Sequence, residues 1–402
     1  MSEPAVYPSS AVERAMKVQE VILRAIDGRL KWYQAAEILG ISDRQMRRWK
    51  RRYDQRGYDG LFDRRRQRPS PKRVPLAVVQ QVLTLYRERY FDCNVLHFHE
   101  KLQGEHGIGL SYTWVKTALQ TAGLVANEAR RGPHRKARPR RPLPGMLLHV
   151  DASTHGWLPE LGAQDLIVVL DDATSVVAYA RLVPQESTRT MLAALRAVID
   201  GPGVFCALYT DRASHFITTR TGRSPHRPQS ATDPTQLARA LGQLGIELIP
   251  AHSPQARGRM ERLWETWQGR LPQELRLAGI RTGEAANAFL TSTWVPFHNR
   301  TWTVPAAGGG TAFVPYAGGQ LDRICALQHE RVVGNDNCVA FGRRRHQIPK
   351  ASWRYSFAKC RVKVYEHLDG TLSIGHGPHT LGHYDAEGRL FTPASQAVGQ
   401  AA

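Results

Sequence analysis

The sequence predicts a multidomain protein with an all-α N-terminal region, a central α/β domain and a small β-barrel at the C-terminus. Three observations lead to this fold class. Apolar residues recur at helical spacing up to about residue 124. From residue 145, strand-sized apolar runs alternate with helical patterns. From about residue 322, short strand-like segments follow one another, and Asp369-Gly370 is typical of a hairpin turn.

Charge and cysteine usage narrow the functional classes. The 402 residues include 55 Lys and Arg against 35 Asp and Glu, a net charge of +20, which favours a polyanion partner over an ordinary basic surface. The five cysteines form no CxxC pair, so neither a disulfide framework nor a zinc ribbon is indicated. The first residues lack the apolar core of a signal peptide, and the apolar runs are strand-sized. We therefore expect a cytoplasmic, nucleoid-associated protein with no membrane partner.

Residues 1–60 are predicted to form a helix-turn-helix DNA-binding domain. Ser42 follows a short turn and is a suitable N-cap for a basic helix. Met46, Trp49 and Tyr53 share one face of that helix, so its cations point elsewhere. A solvated face of an ordinary three-helix bundle is the alternative. The side chains expected to contact DNA are Arg44, Gln45, Arg47, Arg48 and Arg51.

Two basic, proline-containing segments, 61–75 and 129–143, are predicted to be linkers. Their cations suit the neutralisation of phosphates along a DNA backbone; the alternative is a merely solvated hinge. Residues 76–128 between them have the pattern of a second helix-turn-helix-like domain, with Ser111 as a cap. The linker side chains expected to contact DNA are Arg64, Arg65, Arg66, Arg135, Lys136, Arg138, Arg140 and Arg141.

Residues 144–300 carry three acids in a distinctive order. One strand-like run ends on Asp151, a later one ends on Asp211, and an amphipathic helix carries Glu261 beside its apolar stripe. The element order β-β-β-α-β-α-β-α is that of a ribonuclease-H-like domain, in which these three positions converge. The rival acids Asp171 and Asp172 fall in a hairpin turn, where Asp is favoured for local reasons. Glu265 is the alternative third acid, one turn after Glu261.

Three carboxylates suit phosphoryl transfer. Two divalent ions can serve the attacking and the leaving oxygen of an in-line displacement. Hard ions such as Mg²⁺ or Mn²⁺ prefer oxygen ligands. We therefore predict that Asp151, Asp211 and Glu261 are catalytic and hold two Mg²⁺ or Mn²⁺ ions.

The motifs around these acids resemble those of the DDE transposases of bacterial insertion sequences, which have an integrase catalytic core. HVDAS at 149–153 is similar to the first motif of that family, and YTDRASHF at 209–216 to the second, with Ala213 in place of the common Gly. AHSPQARGRMER at 251–262 is similar to the third motif and is the most specific. The gap between the second and third acids exceeds the family's common spacing, and we assign the surplus to residues 220–234.

The resemblance implies an enzyme that binds the terminal inverted repeats of its element, cuts them and joins the 3′ ends to target DNA. Two ends must be held together for joining, so it also implies at least a dimer on DNA. Two alternatives stay open: a catalytically inactive DNA-binding regulator, and a ribonuclease-H-like nuclease without strand transfer.

The remaining residues, 320–392, are predicted to form the small β-barrel. Arg343, Arg344, Arg345 and Lys363 either contact DNA or keep the barrel soluble. A disordered tail is expected at 393–402.

Overall fold

The structure is a computed structural model, and it describes residues 9–62, 73–126, 138–216, 234–251 and 258–392. The chain divides into two compact units, 1–81 and 82–402, and each is described by itself. No helix in the described ranges is long and apolar enough to cross a membrane. Several predicted features lie outside these ranges, namely Arg64, Arg65, Arg66, Arg135, Lys136, most of the 220–234 segment and the 393–402 tail.

The first unit is a small helical domain. Its core is formed by Val18, Ile22, Ala35, Ala36 and Met46, which come from three helices. The turn between α2 and the next helix contains Gly40, whose φ of 63° lies in the left-handed region that glycine adopts without steric cost. The helix bounds are α1 (Ser9–Ile26), α2 (Trp32–Ile38) and α3 (Asp43–Arg56), followed by a 3₁₀ turn (Gly57–Leu61).

The second unit begins within α4 (Leu76–Glu88) and starts with a helical module. The module continues with α5 (Val95–Gly104) and α6 (Tyr112–Thr121). As predicted, Ser111 caps α6: its hydroxyl accepts a hydrogen bond from the Trp114 amide at 3.3 Å.

The central domain contains a five-stranded sheet in the order β3-β2-β1-β4-β5. Strand β1 pairs antiparallel with β2 and parallel with β4, and β4 pairs parallel with β5. The predicted element order is therefore confirmed, and the sheet is ribonuclease-H-like. The bounds are β1 (Leu148–His155), β2 (Gln164–Asp171), β3 (Val177–Val183), α7 (Thr188–Asp200), β4 (Ala207–Thr210), α8 (Gln236–Gln243), β5 (Glu247–Pro250) and α9 (Gly258–Gln268).

Each face of this sheet packs against a separate apolar core. Val150 of β1 belongs to the core formed with α7 and α8, whereas Val168 of β2 belongs to the core formed with α9. Because side chains alternate along a strand, His149, Asp151 and Ser153 of β1 lie on the α9 face.

Three further helices follow α9 in the chain. They are α10 (Leu271–Leu277), α11 (Gly283–Phe289) and, after a π-helical turn (Leu290–Trp294), α12 (Val295–Thr301). Asn287 and Asn299 form hydrogen bonds with the backbone of the edge strand β3. Each side-chain amide makes paired hydrogen bonds with one β3 residue, Asn287 with Leu182 and Asn299 with Val177, at 2.7–3.0 Å. The asparagines thus satisfy backbone groups that an edge strand otherwise leaves exposed.

Helix α5 of the helical module contacts α10, and the residue before it, through charged side chains. Glu274 accepts from His97 at 2.6 Å and from Lys101 at 2.9 Å. Arg270 binds Glu100 through both guanidinium nitrogens, at 2.5 and 3.1 Å. The module is therefore fixed to the helices that follow α9.

The C-terminal strands do not close into the predicted barrel. Within the described residues they form an open five-stranded sheet, β12-β11-β10-β9-β6, and a separate hairpin, β7-β8. The hairpin contributes Val339 to the core under the open sheet, so apolar burial is achieved without closure. The bounds are α13 (Leu321–Ile324), β6 (Leu327–Val332), β7 (Cys338–Phe341), β8 (Arg344–Gln347), β9 (Arg361–Glu366), β10 (Leu372–His376), β11 (His379–Tyr384) and β12 (Leu390–Phe391).

Candidate active site

Asp151 and Asp211 lie on neighbouring parallel strands. The pairing of β1 with β4 aligns Leu148 with Leu208 and His149 with Tyr209. Continuing this register by two residues brings Asp211, which follows β4, level with Asp151 on the same face of the sheet. The His149 and Tyr209 rings, one step earlier on that face, lie 5.2 Å apart.

A turn after β4 orients Asp211. The Ala213 amide donates to Asp211 Oδ1 at 3.0 Å, an Asx-type turn. Ala213 is not among the described residues with positive φ, so this position does not need the glycine of the family motif. The departure noted in the sequence therefore leaves the geometry of the turn intact.

Helix α9 lies along β1. Trp264 Nε1 donates to Asp151 Oδ2 at 2.9 Å, and Gln268 Nε2 donates to Ser153 Oγ at 2.8 Å. The four residues from Trp264 to Gln268 rise about 6 Å along the helix, and the two residues from Asp151 to Ser153 rise about 6.6 Å along the strand. The two hydrogen bonds are therefore evenly spaced along both elements, as expected for a helix that lies parallel to the strand. Glu261 is exposed in the first turn of this helix, three residues before Trp264, and Glu265 is exposed one turn later.

The three predicted acids are positioned by adjacent elements but are not gathered into a closed ligand set. Among the described residues, no three His, Cys, Asp or Glu side chains are close enough together to hold a metal ion. The segment before α9, residues 252–257, lies outside the described ranges. The donor set itself, carboxylate oxygens on two neighbouring strands and one helix, fits a hard divalent ion.

Asp172, a rival acid in the sequence, lies at the centre of a hydrogen-bond network next to β1 and α9. It is fully buried, and its Oδ1 accepts from His149 at 2.7 Å, from Arg138 at 2.6 Å and from Arg259. Its Oδ2 accepts from the Arg141 amide at 2.7 Å. The interpretation of Asp172 as an acid favoured for local turn reasons is therefore wrong, because its partners come from three distant segments.

Asp171, by contrast, has the local role that was predicted for a turn acid. Its Oδ2 accepts from the amide and hydroxyl of Thr174 at 2.8 and 2.7 Å. Its Oδ1 also accepts from the Gly145 amide at 2.9 Å. Asp171 thus holds the β2–β3 turn and ties it to the Gly145 amide.

The Asp172 cluster is defined as Asp172, His149, Arg138 and Arg259, and it holds the Asp172 carboxylate in its ionised form. Burial by itself would raise the pKa of Asp172, but hydrogen bonds from His149 and the Arg141 amide, with the charge of Arg259, lower it to about 2. Two members flank the predicted acids in sequence, His149 two residues before Asp151 and Arg259 two residues before Glu261. On strand β1 that spacing places His149 on the same face as Asp151, so it could have been found from the sequence. On helix α9 residues two apart point in different directions, so no such signal pointed to Arg259.

Two of the predicted phosphate-binding arginines contact the domain itself. Besides its bond to Asp172, Arg138 lies over the Tyr209 ring at 5.8 Å. Arg140 donates to the Asp172 carbonyl at 3.0 Å and to the Ser175 hydroxyl at 2.9 Å. The end of the basic segment is therefore fixed over the β2–β3 turn, and DNA contact by Arg138, Arg140 and Arg141 stays a prediction.

The predicted recognition helix, α3, presents its cations to solvent. Ser42 Oγ caps it by accepting from the Gln45 amide at 3.4 Å, and Met46 is buried as expected. Five predicted DNA-contacting side chains are exposed, namely Arg44, Gln45, Arg47, Arg48 and Arg51.

Comparison with known families agrees with this organisation. A model described as a helix-turn-helix domain matches residues 19–70, and one described as a homeodomain-like domain matches residues 45–119. The putative transposase y4bF of Sinorhizobium fredii is 31% identical over 372 residues, which cover 92% of this chain and 80% of that protein. The chain belongs to the insertion-sequence transposases. The transposase for insertion sequence IS1202 of Streptococcus pneumoniae is 27% identical, over 88% of this chain and 83% of that one.

Solved structures that this transposase resembles are far more distant. The simian T-cell lymphotropic virus intasome, in complex with the PP2A regulatory subunit B56 gamma, has a chain 13% identical to this one. The match covers 70% of this chain and 91% of that chain, with a TM-score of 0.31. The HTLV-2 integrase catalytic core domain, solved with magnesium, is also 13% identical. The match covers 41% of this chain and 93% of that chain, with a TM-score of 0.29.

Proposed function

We propose that this transposase binds the terminal inverted repeats of an insertion sequence, cuts there and joins the freed 3′ ends to target DNA. The observation that supports the proposal is the register between β1 and β4, which pairs His149 with Tyr209 and, continued by two residues, brings Asp151 level with Asp211. Helix α9, carrying Glu261, is joined to Asp151 through Trp264. We therefore assign catalysis and metal binding to Asp151, Asp211 and Glu261, with Glu265 as the alternative third ligand.

Each proposed step exchanges one phosphodiester oxygen for another. In cleavage, a water oxygen bonds to phosphorus, and the element's 3′ oxygen leaves as a hydroxyl. In joining, that hydroxyl oxygen bonds to a target phosphorus, and a target 3′ oxygen leaves. Two bound Mg²⁺ or Mn²⁺ ions would supply nucleophile activation and charge stabilisation. The chain's own contribution is three carboxylates on fixed elements, supported on the β1 side by the Asp172 cluster.

Recognition of the DNA ends is assigned to the first unit. The exposed cations of α3 begin directly after its cap, and the N-terminal residues of a recognition helix are those that reach base edges. The linker cations would add contacts to phosphates that carry no sequence information. Joining two ends requires at least two copies of the chain on DNA, in the compartment that contains the DNA.

A strand-transfer assay with pre-cut element ends and Mg²⁺ or Mn²⁺ tests the assignment. Asp151→Asn and Glu261→Gln are expected to abolish joining, while Glu265→Gln, a matched change one turn away, retains it. If Asp151→Asn and Glu261→Gln join DNA as well as the parent, the catalytic assignment is wrong. Parent protein that cleaves uncut element ends but never joins the pre-cut ones would favour a nuclease. Binding of the ends without either reaction would favour a regulator.

A further inference from the structure

Trp264 links the strand that carries Asp151 to the helix that carries Glu261. Its indole Nε1 donates to Asp151 Oδ2 at 2.9 Å. We propose that Trp264 is a positioning residue: its N–H fixes the orientation of the Asp151 carboxylate and thereby strengthens divalent-cation binding at the active site. The inference rests on the proposed function, because it gives Asp151 the role of a metal ligand.

The indole is itself held firmly. Trp264 is only 8% exposed and lies between Trp157 and Trp267, whose ring centroids are 6.2 and 6.4 Å away. These rings belong to the apolar core between α9 and the sheet. Because a packed ring has few alternative rotamers, the direction of its N–H bond is set by the core rather than by solvent.

The hydrogen bond from Trp264 to Asp151 has the chemistry expected of a residue that orients a metal ligand without binding the metal itself. An indole N–H can only donate, so it occupies one carboxylate oxygen of Asp151 and does not itself compete for a cation. Hydrogen bonds of this kind orient ligating carboxylates, and losing one typically costs about 10- to 100-fold in metal affinity or activity. The same bond also holds α9 against β1, which ties the position of Glu261 to that of Asp151.

Helix α9 offers a matched control in Trp267. This residue is fully buried in the same core, but its Nε1 donates to His298 Nδ1 at 3.0 Å rather than to a carboxylate. Trp264→Phe and Trp267→Phe remove the same N–H and the same part of a ring from neighbouring turns. A purely structural role for Trp264 would make the two variants behave alike.

The test is a titration of the full chain with Mn²⁺, in which free Mn²⁺ is measured by electron paramagnetic resonance, alongside the Mg²⁺ dependence of strand transfer. Trp264→Phe is expected to weaken Mn²⁺ binding by about 10- to 100-fold and to raise the half-saturating Mg²⁺ concentration correspondingly. Trp267→Phe is expected to lower the melting temperature without changing either metal dependence. Trp264→His, which keeps a ring N–H, is expected to bind Mn²⁺ more tightly than Trp264→Phe.

Two outcomes would overturn the inference, and they are distinguishable. If Trp264→Phe binds Mn²⁺ as tightly as the parent while Asp151→Asn does not, the positioning role is wrong and the proposed function stands. If Asp151→Asn itself binds Mn²⁺ and joins DNA like the parent, the proposed function fails and the inference fails with it.

Discussion

Arg259, two residues before Glu261 at the start of α9, donates a hydrogen bond to the buried carboxylate of Asp172 at the end of β2. Arg259 also donates to the Arg138 carbonyl at 3.0 Å. One buried acid therefore connects helix α9, strand β1 and the end of the basic segment.

Asp172→Asn is expected to destabilise the central domain by about 3–5 kcal/mol, because it removes a fully buried carboxylate and leaves the partly buried Arg259 guanidinium without its counter-charge. Differential scanning calorimetry of the full chain measures the effect as a lower melting temperature. Asp200→Asn is the control, since Asp200 pairs with Arg196 on an exposed helix surface, where a pair is worth about 0–1 kcal/mol. Equal shifts for the two variants would show that the Asp172 cluster contributes no more than a surface pair.

The same acid predicts a pH dependence of stability. Its pKa is about 2, below the ordinary value of 3.8, so the ionised carboxylate stabilises the fold above pH 3.8. This stability is lost as the pH falls from about 4 towards 2. We expect the parent's melting temperature to fall more steeply across that range than that of Asp172→Asn. Parallel curves for the two proteins would contradict the assignment of the low pKa.

The sequence was sufficient to predict those structural features that depend on a local residue pattern or on the order of the helices and strands. The proximity of Asp151 and Asp211 in the sheet could be predicted because the order of elements implied adjacent strands, although Asp151 lies within β1, which continues to His155, and not at its end. The role of Asp172 could not, because its hydrogen-bond partners lie 23, 34 and 87 residues away and its local sequence is that of a turn. The contact between His97 and Glu274 spans 177 residues and leaves no periodic pattern. The open C-terminal sheet was missed because strand patterns do not specify closure.

Replacing Arg44 and Arg48 by Ala is expected to relax discrimination between the terminal repeat and unrelated DNA. Each lost base contact should cost about 1–3 kcal/mol on the specific site. The ratio of the affinities for the terminal repeat and for unrelated DNA is measured by competition binding at fixed salt, with fluorescence anisotropy as the readout. Arg24→Ala is the control, since Arg24 is exposed on α1 and pairs with Glu20. A uniform loss of affinity for all DNA sequences would show that Arg44 and Arg48 touch only phosphates.

Glu274→Gln is expected to loosen the helical module from α10. The change removes the negative charge opposite Lys101 and His97, whose hydrogen bonds hold the pKa of Glu274 below its ordinary value despite burial. A loss on the order of 2 kcal/mol corresponds to roughly 30-fold faster amide exchange over α5 where exchange proceeds by local opening. Hydrogen–deuterium exchange measures this. Glu160→Gln, at an exposed pair with Arg281, should leave α5 unchanged, and similar exchange in both variants would refute the docking role.

The central claim is that Asp151 and Asp211 hold the catalytic cations directly, and metal rescue of cysteine variants tests it most directly. A thiolate is a poor ligand for Mg²⁺ and a better one for the softer Mn²⁺. Strand transfer by Asp151→Cys and by Asp211→Cys should be lost with Mg²⁺ and partly restored with Mn²⁺, whereas Glu265→Cys should be active with both ions. Joining by Asp151→Cys and Asp211→Cys at the parent's rate in Mg²⁺ would contradict the account.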